Sequence, residues 1–296
     1  MVRLLFGVFF GVLLAASSAA AQDSLDWKPS ADVMFTMTQN AYSDNWAGGD
    51  VGSVTWVGTA NLGLQRQFRA PWHWRNTLKL AYGQTHNQDA DSKDWKKPFK
   101  STDLIDFESL LRYQVWSPTV EPYAAFRLIT QFEDATYKNY TLHFNPIDLT
   151  ESVGAARTLY KKGDDEFLGR VGFGFRQRIM RIPDSTFSET TTETSNDGGL
   201  EFVLDGKYHI PTSQILWTTK LTTFKAFFYS KSDELEGLPQ EDYWKAVDVN
   251  WENTLSAQVA KFLAVSLYVQ WLYDKEIDRG GRFKETLSLN FTWKLF

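Results

Sequence analysis

Apolar and polar residues alternate with a period of two through nearly the whole of this chain, and no other feature constrains its fold so tightly. Val54, Trp56, Ala60, Leu62 and Leu64 are apolar, with polar Thr55, Thr59, Asn61 and Gln65 between them. Ile105, Phe107, Leu111, Tyr113 and Val115 oppose Asp106, Glu108, Arg112 and Gln114, and Val247, Val249, Trp251, Leu255 and Val259 oppose Asp248, Asn250, Glu252, Ser256 and Gln258. Successive side chains of a strand point to opposite faces, so each segment reads as a strand with one apolar and one polar surface. A helix would scatter these charges around its circumference. Twelve such segments are expected, at 31–42, 53–66, 73–85, 102–115, 122–133, 149–160, 167–179, 199–210, 214–227, 245–259, 262–273 and 283–295. Segment 149–160 is the least regular, because Glu151 and Arg157 share a phase with Leu149, Val153 and Leu159.

The connections alternate short (near 67–72, 116–121, 161–166, 211–213 and 260–261) and long (43–52, 86–101, 134–148, 180–198, 228–244 and 274–282). Short turns at one end and long loops at the other are the rhythm of a transmembrane antiparallel barrel, whose strands need about 9–11 residues to cross. An even strand number puts both termini at the short-turn end, expected to be periplasmic. Ser188–Asp197, rich in Thr, Ser and Glu, reads as a mobile loop tip.

Compartment is read from the N-terminus. Arg3 precedes an apolar run from Leu4 to Ala16, and small residues ending in Ala19-Ala20-Ala21 precede Gln22. That is the layout of a secretory signal peptide over 1–21, too short for a spanning helix. A periplasmic leader over 22–30 and a barrel over 31–296 are expected to follow. The mean hydropathy of −0.35 is that of a soluble protein, but alternation averages apolarity away in any sliding window. The chain has no cysteine, so an exported fold must be held by something other than disulfides. Aromatics make up 16% of the chain, and they are placed at strand ends. Trp74, Tyr113, Tyr208, Trp217 and Trp293 flank short turns, while Trp56, Tyr82, Phe132, Phe227 and Trp271 lie toward long loops. Two such belts are what two membrane interfaces select. A soluble lipocalin-like or jelly-roll barrel is the alternative, and it gives no reason for the belts.

The polar phase is the expected lumen. It carries Arg75, Lys79, Arg112, Arg127, Arg170, Arg176, Arg178, Lys207, Lys220, Lys284 and Lys294 against Asp106, Glu108, Glu133, Glu201, Asp205, Asp248 and Glu252, a net of +4. The six long loops carry a net of −9. A mildly basic interior beneath an acidic mouth is therefore expected. Across the turn Pro211-Thr212-Ser213, lumen-facing residues whose numbers sum to 425 or 423 should meet, which brings Asp205 and Lys220 together.

Several stretches resemble an uncharacterised family of outer-membrane proteins, a domain of unknown function typical of Bacteroidetes-like bacteria. They are Asn40-Ala41-Tyr42-Ser43-Asp44-Asn45-Trp46-Ala47-Gly48-Gly49, Asn76-Thr77-Leu78-Lys79-Leu80-Ala81-Tyr82-Gly83, and Asp248-Val249-Asn250-Trp251-Glu252 with the closing hairpin. The resemblance implies an outer-membrane barrel and no activity. A terminal Phe296 is similar to the C-terminal aromatic by which barrel-assembly machinery recognises its clients, although the apolar residues before it, Leu295, Trp293 and Phe291, run one step out of phase.

Little in the chain points to chemistry. The four histidines, His73, His86, His143 and His209, show no metal-ligand spacing,. His209 and Ser213 flank one turn, the only hint of a nucleophile and base. Gly172-Phe173-Gly174 lies mid-strand and opens no helix, so it is no phosphate loop. Asn139-Tyr140-Thr141 matches a glycosylation sequon, read as a chance match in a bacterial loop. No cofactor or metal is expected, and acidic loops argue against nucleic acid. Partners expected are outer-membrane lipid and, during biogenesis, the assembly machinery. The function expected is a narrow solute passage; a lipid-acting barrel enzyme and a non-conducting structural barrel are the alternatives.

Overall fold

In a computed structural model, which describes residues 27–42, 51–68, 71–114, 120–137 and 140–295, the alternating segments become strands. The wall strands are β1 Lys28–Asn40, β2 Ser53–Gln67, β3 Trp72–Asn87, β4 Phe99–Tyr113, β5 Glu121–Thr130, β8 Ile147–Lys162, β9 Asp165–Pro183, β10 Thr190–His209, β11 Ile215–Tyr229, β12 Val247–Ala260, β13 Leu263–Tyr273 and β14 Arg282–Lys294. They form a closed antiparallel barrel in which β14 returns to β1. A small hairpin, β6 Asp134–Tyr137 with β7 Tyr140–Leu142, stands in the loop between β5 and β8. The signal peptide and the start of the leader, positions 43–49 of the first resemblance motif, Asn139 of the sequon and Phe296 lie outside the described residues.

Residues paired across strands share a face, so the register reveals the barrel's two surfaces. Leu78, Phe107 and Leu128 form one outer row. Val153, Phe173 and Leu200 form another, and Leu255, Leu267 and Leu287 a third. Phe173 is 45% exposed and Leu287 71%, whereas Leu110 and Leu168, which point inward, are fully buried. A soluble barrel does not leave its large apolar side chains on the outside. Polar residues on the outer face have local reasons. Ser109 and Asn253 accept from the indole N–H groups of Trp74 (2.8 Å) and Trp217 (3.2 Å), and Thr219 from that of Trp251 (3.1 Å). An indole N–H in an apolar setting needs such a partner.

Parts of the aromatic belts form contacting runs. Toward the loops, Phe35, Trp56, Tyr82 and Phe132 follow one another at centroid distances of 6.1–6.5 Å. Toward the turns, Trp27, Phe68 and Trp74 cluster, Trp72 meets Tyr113 at 4.9 Å, and Phe167 touches Tyr160, Tyr208 and Trp217.

Three expectations are corrected. Segment 188–197 is a loop tip only at Ser188 and Glu189: β9 and β10 stay paired from Lys207–Glu166 up to Thr190–Pro183, so the hairpin projects above the wall as an extended ribbon. The alternation simply continues there in Thr and Ser, which suit strands as well as loops. β1 begins at Lys28, three residues inside the expected leader. Glu133 does not line the lumen, because β5 ends at Thr130. Its carboxylate accepts from Tyr82 Oη at 3.1 Å on the outer side, and Asp103 holds the backbone N–H groups of Phe132 and Glu133. Segment 149–160 is a regular strand apart from a bulge between Thr158 and Tyr160, with Glu151 on the outer face between Phe126 and Phe175.

Candidate functional site: a charged septum inside the barrel

Inside the barrel, long charged side chains reach from one wall to the other. Glu108 on β4 and Lys220 on β11 lie five strands apart around the ring, nearly opposite, yet Lys220 Nζ donates to Glu108 Oε2 at 2.6 Å. Arg170 on β9 reaches the other oxygen of Glu108 at 2.6 Å and Asp205 Oδ2 at 3.3 Å. Asp205 also receives Arg75 from β3 across the lumen, at 3.8 Å. The register places Asp205 directly opposite Lys220, the 425 pairing, but their ion contact is the long one, 4.0 Å. Arg127 grips Asp106 through two bonds of 2.9 Å, a fork that matches a carboxylate. The side chains of Glu108 and Arg170 are only 9% and 3% exposed. Unpaired charges would not survive such burial, and paired ones hold the two walls together.

One side of the septum is sealed by an apolar cluster of Leu110, Tyr123, Ala156 and Leu168. Gly172-Phe173-Gly174 has a packing role there. A Cβ on Gly172 would sit 2.7 Å from Tyr123 Oη and 2.3 Å from the Val153 carbonyl, and one on Gly174 3.2 Å from the Phe224 ring. The glycines thus make room for inward-pointing rings. Below the septum, on the short-turn side, is a cavity of about 330 Å³ lined by Arg75, Lys79, Lys207, Asp164, Asp205 and Glu252. Glu252 accepts from Asn250 and from Tyr268 Oη. Glu201 faces the septum beside Arg127 and Arg170 and forms no ion pair among the described residues. Arg112, near the turns, binds Glu121 at 3.0 Å and contacts His73 Nδ1 at 3.3 Å.

Above the septum Arg176 binds Asp197 twice (2.8 and 2.6 Å), binds Asp248 at 2.8 Å, and lies 3.7 Å over the Phe224 ring. Arg178 pairs with Asp148 at 3.3 Å. The excess of cations in the lumen is smaller than the alternation alone gives. Glu121, Asp148, Glu166 and Asp197 also share the inner phase with their cationic partners, so the interior charge is close to balance. They escaped notice because they sit at strand ends, in stretches read as turns or loops.

The mouth itself is acidic. In the connection between β13 and β14, Glu276 is pushed up to about 7, by burial of its carboxyl first and then by the negative charges of Asp274 and Asp248. The residue as a whole is exposed, so solvent screens part of this effect. At the opposite end His209 Nδ1 meets Asp165 Oδ1 at 2.5 Å, but Ser213 Oγ donates to the Ile210 carbonyl at 2.9 Å. The serine hydroxyl is thus committed to its own turn and is not lined up with the imidazole.

These features define a closed twelve-stranded antiparallel barrel with an apolar exterior and an ion-paired septum. Residues 37–136 match a family model described as a protein of unknown function (DUF3078). No curated protein matches the sequence. Among solved structures, the COG4313 outer membrane channel from Pseudomonas putida F1 aligns over 93% of this chain and 96% of its own, at 14% identity and a TM-score of 0.39. The translocator domain of the autotransporter NalP from Neisseria meningitidis aligns over 98% and 96%, at 8% and 0.36. The NanC porin aligns over 90% and 97%, at 10% and 0.33. All three are barrels, and at these values the likeness carries nothing about function.

Proposed function

We propose that this chain is an outer-membrane barrel that gives small solutes a narrow passage, constricted at mid-height by the bridge from Glu108 to Lys220 and Arg170. The observation that carries this reading is the combination of an apolar outer wall with a cavity of about 330 Å³ that ends at a charged septum. A barrel filled throughout by packed side chains would be structural only, whereas here the barrier is one layer of ion pairs with an apolar cluster on one side. Twelve strands fall between the roughly 8 whose interior side chains fill and the 16–18 that leave an open channel. The solvating lipid and the assembly machinery named above are part of the same proposal.

Single-channel recording on the purified chain in planar bilayers tests it. The wild type is expected to show small conductance, and Glu108→Gln with Lys220→Met a several-fold larger one, because the crossing side chains no longer attract. If neither protein passes ions although both insert, the passage reading is wrong and the barrel is structural.

The orientation is also a proposal: short turns in the periplasm, loops at the cell surface. Tags placed beside Trp95, Ser195 or Glu236 are expected to react on intact cells, and a tag at Gly163 only after the outer membrane is opened. Open space surrounds Gly163, so a tag inserted beside it meets no neighbour, while the glycine itself is kept because its φ of 60° disfavours any side chain,. A surface-reactive Gly163 tag would invert the topology.

A further inference from the structure

The barrel closes unevenly. β1 pairs with β2 over thirteen residues and β13 with β14 over ten, but β1 and β14 pair only over Asp32–Thr36 against Asn290–Lys294. Continuing that register would set Met37–Asn40 against Thr286–Leu289, and among the described residues those pairs are not made. Leu295 donates its N–H to the Ala31 carbonyl, while Thr292 donates to Phe262 on the β13 side. The odd-numbered residues of β14 therefore aim their backbone groups at β1. By that parity the N–H and C=O groups of Phe283, Glu285, Leu287 and Leu289 face a gap, and so do those of Met37 and Gln39.

The gap opens within the apolar belt: Leu287 shares an outer row with Leu255 and Leu267, and Phe283 one with Trp251 and Trp271. Unpaired backbone groups are costly at hydrocarbon depth, so the slot needs something polar in it. Its inner rim is exposed. Lys284 and Thr286 are open, while Asn290, lower on the same inner face, is fully buried. Arg282 and Lys284 both point inward and form no ion pair among the described residues, and Arg282 Nε is buried without a hydrogen-bond partner. Lys284 lies over the Tyr268 ring. Glu285 is the one anion on this stretch, and its side chain points outward.

We propose that the loop-side half of the β1–β14 seam is a lateral portal for a membrane-borne, single-chain amphiphile with an anionic head. The head enters the polar slot and reaches Arg282 and Lys284, while the chain stays outside along Leu287, Leu289 and Met37. The route is lateral because the loops at the aqueous mouth are acidic and repel anions. It is slender because the septum bridges the lumen behind it. The inference rests on the membrane placement of the barrel and not on conduction.

The test uses the full chain in a neutral maltoside detergent, with binding followed by native mass spectrometry. Dodecyl phosphate is the probe, with inorganic phosphate (head only) and dodecanol (chain only) as the comparison arms. The expected result is retention of dodecyl phosphate alone, weakened at least ten-fold in Arg282→Gln/Lys284→Gln. In Thr38→Cys/Ser288→Cys, which would face each other in a completed register, bridging by oxidation or by a bis-maleimide is expected to abolish binding, and release of the disulfide to restore it. The proposal is overturned if bridging leaves binding intact, or if inorganic phosphate binds equally, which would mean an aqueous anion site. It is also overturned if the cysteines link two chains, which would mean that a second copy covers the edge. Dodecyl phosphate binding in a barrel that passes no ions would leave the portal standing and remove only the passage reading.

Discussion

Glu108→Gln is expected to lower the barrel's resistance to unfolding more than any other single change in the lumen. The carboxylate is the common partner of Lys220 and Arg170, each at 2.6 Å. Without its charge the nearly buried Arg170 keeps only Asp205, at 3.3 Å, and Lys220 only the same residue at 4.0 Å. Removing one member of a buried ion pair typically costs about 3–5 kcal/mol, most of it from the charge left behind. Asp205→Asn is expected to cost much less, about 1 kcal/mol, because Asp205 is more exposed and its contacts are longer. Urea unfolding midpoints in lipid vesicles measure both. In double-mutant cycles Glu108 and Lys220 are expected to be coupled more strongly than Asp205 and Lys220, although only the second pair are strand neighbours. Equal costs for Glu108→Gln and Asp205→Asn would mean that the lumen is wet at mid-height and that no bridge closes it.

Arg176→Met is expected to convert the mouth into a cation-selective, pH-sensitive opening. Arg176 ties β9 to β10 through Asp197 and to β12 through Asp248. Its loss leaves those carboxylates facing Asp274 and Glu276 with no counter-charge. The side chain is 30% exposed, so the stability loss should be below that at Glu108, about 1.5–3 kcal/mol for charge-assisted hydrogen bonds. The sign of the pH effect follows from Glu276. Its folded-state pKa, about 7, lies above the ordinary glutamate value of 4.5. The folded loop therefore holds its proton more tightly than the unfolded chain, a contribution present at low pH and lost as pH rises from about 4.5 through 7. Cation preference, read from reversal potentials in a salt gradient, should rise through the folded-state pKa alone, which the loss of the Arg176 charge moves above 7. Arg176→Met/Glu276→Gln should be cation-selective but lose that pH step. Should the step persist, another group at the mouth is titrating.

Much of the fold was legible because alternation is local. Whether Phe173 or Arg170 faces lipid is decided within a few residues, by the period of two. The twelve strands, the two aromatic belts and the Asp205–Lys220 register all rest on distances of a hairpin or less. Strand ends were less legible. Thr190–Ser195 reads equally as loop or strand, and Glu133 keeps the lumen's phase after its strand has stopped. Glu121, Asp148, Glu166 and Asp197 were hidden at the edges of segments, and they turn an apparently basic lumen into a nearly balanced one.

What alternation cannot supply is which wall faces which. Lys220 and Glu108 are 112 positions apart, and they meet only because the closed ring brings β4 opposite β11 and charged side chains are long enough to span it. The short β1–β14 seam is likewise a property of closure, since no residue of either strand signals where their pairing stops. Strands, their two faces and their hairpin neighbours could be read from the chain, because each follows from contacts a few residues apart. The tertiary structure alone decided the septum and the open seam, because both depend on how a ring of twelve strands meets itself.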